Sequence, residues 1–133
     1  MRLQDWRSKF QKMLAEKENQ PFAYGKNDCA LFGADVVFAL TGNDPALKYR
    51  GKYRSLSGGL KLIKKDGFKN QIDYVVLNFK EIPPAFSGIG DIGIANYNGQ
   101  DCVVAIAGTF AVAVGEFGLV RIDLETVNKF YKV

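Results

Sequence analysis

An α+β domain in two layers is the fold this sequence predicts, with N-terminal helices packed on a C-terminal antiparallel sheet of about four or more strands. Apolar residues recur at helical spacing as far as Phe79, and beyond Gly88 they fall into short β-branched runs separated by turns. No internal repeat, low-complexity tract or long linker divides the 133 residues, so a single domain spanning 1–133 is expected. A chain of this size, 47% hydrophobic and 24% charged, excludes disorder and has enough surface to bury for a core without a disulfide or metal.

The elements follow in order. Trp6, Phe10, Met13 and Leu14 share one helical face behind Asp5, a good N-cap residue, which predicts a helix over about 5–18. Pro21 to Asn27 reads as a loop with Phe22 and Tyr24 as an apolar plug. Cys29 to Leu40, almost wholly apolar and followed by Thr41-Gly42, reads as a buried helix with glycine at its C-terminal cap. A turn-rich basic stretch covers 43–55, and a short helix runs from Leu56 to Asp66 before Gly67. Ile72, Val75, Val76 and Phe79 sit at helical spacing, although the β-branched run Tyr74 to Leu77 would also suit a strand; helix is the reading adopted.

Pro83-Pro84 forces a linker. Four strands then follow: Asp91–Asn96, Cys102–Ala107, Phe110–Val114 and Leu119–Leu124, the first two joined by the hairpin signal Asn98-Gly99. Glu125 to Val133 reads as a closing helix.

The net charge is +4, and Lys48, Arg50, Lys52, Arg54, Lys61, Lys64 and Lys65 meet no acidic residue along the chain between them. Such a stretch is ordinarily a solvated face. It could also meet an acidic partner, but no nucleic-acid-binding motif accompanies it, so nucleic acid is not the expected ligand. The absence of a long apolar run argues against membrane insertion, and the start of the chain lacks a signal-peptide core, which makes cytoplasm the default compartment. Two cysteines do not make a disulfide scaffold. Histidine is absent, so no imidazole serves as base or metal ligand, and no cofactor or metal is expected.

Cys29 is the candidate nucleophile. In the first turn of a buried helix its thiolate would be favoured by free N–H groups and the helix dipole. A small core residue is the simpler reading on that position alone. Asp28 beside it could cap the helix, and Asp28, Asp91 and Asp101 are the nearby carboxylates that could act as a base.

The wider arrangement points further. Pro21-Phe22-Ala23-Tyr24-Gly25, Asp28-Cys29, the apolar helix ending at Thr41-Gly42 and the strand opened by Gly90-Asp91-Ile92 together resemble the NlpC-type cell-wall peptidases, a branch of the papain-like cysteine hydrolases. More narrowly, Trp6, Pro21 to Cys29, Thr41 to Pro45 and Arg50 to Tyr53 are similar to a small phage and prophage family with that fold and no established activity. The resemblance implies Cys29 as nucleophile, a groove bordered by Phe22, Tyr24, Asp28 and Asp91, and Cys102 where the family places its histidine, with Val104 as the alternative position. The next strand, Phe110 to Val114, supplies no third polar group. Phe22, Tyr24 and Phe110 are the residues expected to plug the groove.

If Cys102 occupies the histidine position, its sulfur approaches that of Cys29; the expected facing has Cys102, Val104 and Ile106 looking toward the helix. The implied function is a degenerate hydrolase fold retained as a tail-associated phage or prophage assembly or binding module. Its partner would be a structural protein or a peptidoglycan-like ligand, and its location the cytoplasm during assembly or the virion. The alternative is a cysteine hydrolase of peptide or amide bonds that uses a base other than histidine.

Overall fold

The computed structural model describes residues 1–133 and contains four helices and a six-stranded sheet. Helix α1 spans Trp6–Lys17 and buries Phe10, with Trp6, Met13 and Leu14 half-buried beside it. Asp5 does not cap it through its side chain: its backbone is not extended, and the carboxylate lies 3.7 Å from Lys9 on the next turn. Helix α2, Cys29–Thr41, is the buried centre of the helical layer. Its ends are where local chemistry places them, with the Asp28 side chain accepting the Leu31 N–H and Gly42 left-handed at φ 79°. Helices α3 (Leu56–Lys65) and α4 (Gln71–Asn78) are capped by Ser55 and Asn70, so Tyr74 to Leu77 is helical rather than extended. They form a thinly packed arm: α3 buries no residue and α4 only Val75.

Strands β1 (Lys80–Ile82), β2 (Ile92–Tyr97), β3 (Gln100–Ile106), β4 (Phe110–Val114), β5 (Leu119–Asp123) and β6 (Val127–Lys132) form one antiparallel sheet in the order β1-β6-β2-β3-β4-β5. The β2–β3 turn is Asn98-Gly99, both at positive φ, as a two-residue hairpin of this twist requires. Strand β1 has no counterpart in the expected elements. It is three residues long and carries charge, as a short edge strand does.

The closing segment is also a strand, where its sequence predicts a helix. Strand β6 returns to lie between β1 and β2, and a bulge at Ile94/Ala95 sets Lys129 opposite Ile94 but Val127 opposite Ala95. Asn128 is the extra residue. The bulge leaves Val127 and Phe130 in one apolar cluster and Tyr131 in another, so a bulged strand acquires the i, i+3, i+4 spacing of a helix face.

The layering also differs from a plain two-layer sandwich. Ile92, Ile94, Val103, Ala105 and Tyr131 pack toward α1 and α2. On the other face Ala95, Val104, Ile106, Ala111, Ala113, Val127 and Phe130 are buried in a cluster that no residue of α1 to α4 joins, with Leu124 of a single 3-10 turn packed against it. Ile82 of β1 and Val120 and Ile122 of β5, from opposite ends of the sheet, close on that same cluster. The sheet therefore curls around a second core, and its alanines leave the room to do so.

Candidate functional site

Cys29 is the first residue of α2, and its surroundings are assembled from four places in the chain. Asp28 holds the approach. One carboxylate oxygen accepts the Leu31 N–H at 2.9 Å; the other accepts the Gly25 N–H at 3.0 Å and the Tyr53 hydroxyl. Burial and then the Asp28 carboxylate push the Tyr53 phenol well above its ordinary range, so it stays a donor. The Gly25 backbone is left-handed at φ 80°, and a Cβ there would lie 2.0 Å from the Tyr53 carbonyl oxygen. Its own carbonyl accepts the Gly51 N–H at 2.9 Å. Tyr24-Gly25, Asp28 and Arg50 to Tyr53, separated along the chain, thus meet behind the cysteine. Asn27 anchors the same loop, donating to the Gln20 and Pro21 carbonyls at 3.1 Å.

In front of Cys29 lie β3 and α4. Cys102, on β3, lines the same cavity wall as Cys29, and its thiol lies 3.6 Å from the Gln100 carbonyl. Both cysteines are free thiols. The facing that leads there is not the expected one: Val104 and Ile106 point into the second core, whereas Val103 and Ala105 face the helices. Beside Cys102 the edge of the sheet is open. Strand β3 pairs β4 only at Ala105 and Ile106, while Ile106 exchanges its hydrogen bonds with the Gly90-Asp91 side. By the alternation of the ladder the Val103 N–H points to the unpaired side, where it supports the Cys29 thiolate.

Gln71, the first residue of α4, was not singled out by the sequence. Its Nε2 donates to the Cys29 sulfur at 2.9 Å, and its Oε1 is buried without a partner. The only hint in the sequence was its position just after Asn70, the residue that caps α4.

The Cys29 thiol is lowered from 9.0 to about 7. The Cys102 thiol contributes most, burial opposes it, and Gln71 adds to the lowering. Cys102 moves the other way, held protonated first by the adjacent Cys29 sulfur and then by burial. One proton is shared unequally between two thiols, with Cys29 the more acidic.

Cys29 opens into a cavity of about 1000 Å³, walled mostly by apolar side chains of α2, α3 and α4. Phe22 and Tyr24 stack edge to face with ring centroids 4.9 Å apart and form part of its wall. They do not fill it, and the expected plug is corrected accordingly. Phe110 is not in this wall; it lies under the Arg121 guanidinium.

Asp91 is likewise not in the groove. It is fully buried at the opposite end of β2, where it accepts from Arg2 at 2.8 Å, the Val133 N–H at 3.1 Å and the Gly88 N–H at 3.0 Å. Asp101 lines the cavity but is exposed, and its charge acts on Cys102. None of the three carboxylates hydrogen-bonds the Cys29 sulfur.

The basic stretch is partly neutralised in space. Arg50 reaches Asp35 at 2.8 Å and Asp44 at 2.7 Å, tying the 44–50 turn to α2, and Lys48 pairs with Asp66 at 3.0 Å. Acidic residues on either side of the stretch, Asp35 and Asp44 before it and Asp66 just after it, supply these partners. Lys52, Arg54, Lys61, Lys64 and Lys65 are exposed and form no ion pair, so the free basic surface is the smaller set around α3. No helix is long and apolar enough to cross a membrane.

No curated protein and no solved structure matches the chain. One family model does, over residues 1–133, and the chain belongs to that family, DUF6950, described as a domain of unknown function.

Proposed function

We propose that this chain is a papain-like domain of NlpC type that has lost hydrolytic chemistry and serves as a binding module in phage or prophage tail assembly. The observation that carries the loss is the environment of Cys29. A cysteine hydrolase needs a group that takes the thiol proton and later returns it to the leaving amine. Here the sulfur has a second thiol and an amide as its side-chain neighbours, and the nearest carboxylate, Asp28, is saturated by two N–H groups and a phenol. The resemblance of Pro21 to Cys29 and Arg50 to Tyr53 to the phage and prophage family supports the setting, cytoplasmic during assembly or in the virion. The apolar cavity and the unpaired Gln71 Oε1 support binding: together they offer a bound segment apolar contact and one buried acceptor. That segment belongs to a phage structural protein or a peptidoglycan-like stem peptide.

The second reading, an active cysteine hydrolase, is favoured by one observation, the partly ionised Cys29 thiol at neutral pH. It would still lack a proton donor for the leaving group, and the loss of a positioned acid–base typically costs about 10²–10⁴-fold in rate. Incubation with peptidoglycan fragments, read by mass spectrometry of released stem peptides, separates the two. The expected result is no release above that of Cys29→Ala. Release that disappears in Cys29→Ala overturns the proposal in favour of the hydrolase.

A further inference from the structure

We propose that Cys29 and Cys102 act as a dithiol pair that exchanges with disulfides entering the apolar cavity, Cys29 attacking and Cys102 resolving. Two free thiols from different elements, Cys29 of α2 and Cys102 of β3, lie in the wall of one cavity of about 1000 Å³, where α2 and β3 cross so closely that a Cβ on Gly33 would stand 2.7 Å from Val103 Cγ1. Their roles differ by position. Cys29 is partly buried at the helix start and keeps some exposure, whereas Cys102 is buried. An incoming disulfide therefore meets Cys29 first.

The exchange balances as two substitutions. The Cys29 thiolate attacks one sulfur of the disulfide RS–SR, forming the Cys29–SR bond as the RS–SR bond breaks and one RS⁻ leaves. The Cys102 sulfur then attacks Cys29 Sγ, forming the Cys29–Cys102 bond and expelling the second RS⁻. The two protons released by the thiols end on the two thiolates that leave. Two electrons pass from the protein dithiol to the substrate, which departs as two RSH.

The order of the steps is built into the electrostatics. While Cys29 is an anion it holds the proton on Cys102. Once Cys29 is bound to SR its charge is gone, the largest influence raising the Cys102 thiol disappears, and Cys102 becomes the better nucleophile. The apolar wall selects disulfides with uncharged flanking groups. This chemistry is independent of amide hydrolysis, so the outcome of the peptidoglycan experiment does not bear on it.

The test uses bis(2-hydroxyethyl) disulfide with the whole protein at pH 7, read by intact mass and by unreduced peptide mapping. Wild type is expected to lose two hydrogen atoms, to stay monomeric and to carry no adduct, with the bond mapped to Cys29–Cys102. Cys102→Ser and Cys102→Ala should each retain one hydroxyethylthio group on Cys29, and Cys29→Ala should carry neither modification. A stable adduct on Cys29 of the wild type with Cys102 still reduced, oxidation only to linked dimers, or no reaction overturns the proposal. The wild-type mapping decides even if neither Cys102 variant folds.

Discussion

The Cys29 thiol owes most of its acidity to a single neighbour, and removing that neighbour has a predictable sign. In Cys102→Ala the leading stabiliser of the thiolate is gone while burial, which opposes ionisation, remains, so the Cys29 thiol titrates well above its present value of about 7. Alkylation with iodoacetamide followed between pH 5 and pH 10 should reach half its plateau near pH 7 in the wild type and closer to the ordinary thiol value in Cys102→Ala. At pH 7 the variant should react roughly tenfold or more slowly, because the thiolate is the reacting form. Coincident profiles would show that Cys102 contributes nothing to the acidity. The placement of Cys29 at the start of α2 could be read from sequence because Asp28-Cys29 precedes an apolar helix. Gln71 could not, since a glutamine at the start of an exposed amphipathic helix carries no local sign of what it faces.

At the scale of elements, the site depends on how closely α2 approaches β3. Gly33 lies at the crossing, one helical turn beyond Cys29, and a Cβ there would stand 2.7 Å from Val103 Cγ1. Val103 is buried in the core and supplies the N–H that supports the thiolate, so it has little freedom to move aside. Gly33→Ala is therefore expected to cost about 1–3 kcal/mol by urea unfolding, the range typical of overpacking. It should also slow Cys29 alkylation at pH 7, because α2 can only relieve the clash by moving away from β3. Unchanged stability would place slack at this crossing. Helix α2 is legible because its caps and apolar content agree. Strand β6 is not, because its bulge rearranges a period of two into a helical spacing.

For the whole molecule, Asp91 is the tie between the two ends of the chain. Its buried carboxylate joins Arg2, the backbone of Val133 and the turn at Gly88. Asp91→Ala removes three acceptor contacts at once and leaves a guanidinium, only 18% exposed, without its partner. A loss of about 3–5 kcal/mol is expected from urea unfolding, as for other broken buried ion pairs. Because Asp91 is not in the cavity wall, the pH profile of Cys29 alkylation should stay the same in any variant that remains folded. A shifted profile would reveal coupling between the two ends of β2. From the sequence alone Asp91 reads as a groove residue, since its place after Gly90 at the head of a strand says nothing about which end of the sheet holds the cleft.

The chain's local chemistry was enough to show the helix-first, sheet-second order, the caps of α2, the Asn98-Gly99 hairpin and the place of a cysteine at a helix start. Each of these depends on residues within a few positions of one another. The curl of the sheet, the return of β6 beside β2, the neutralisation of Arg50 and the approach of Cys102 and Gln71 to Cys29 join residues distant along the chain. Those features arise because a six-stranded sheet must bury both faces and satisfy its charges with whatever the folded chain brings near. The chemistry of this site belongs to that second group: a cysteine becomes an acidic thiol through partners that only packing can supply.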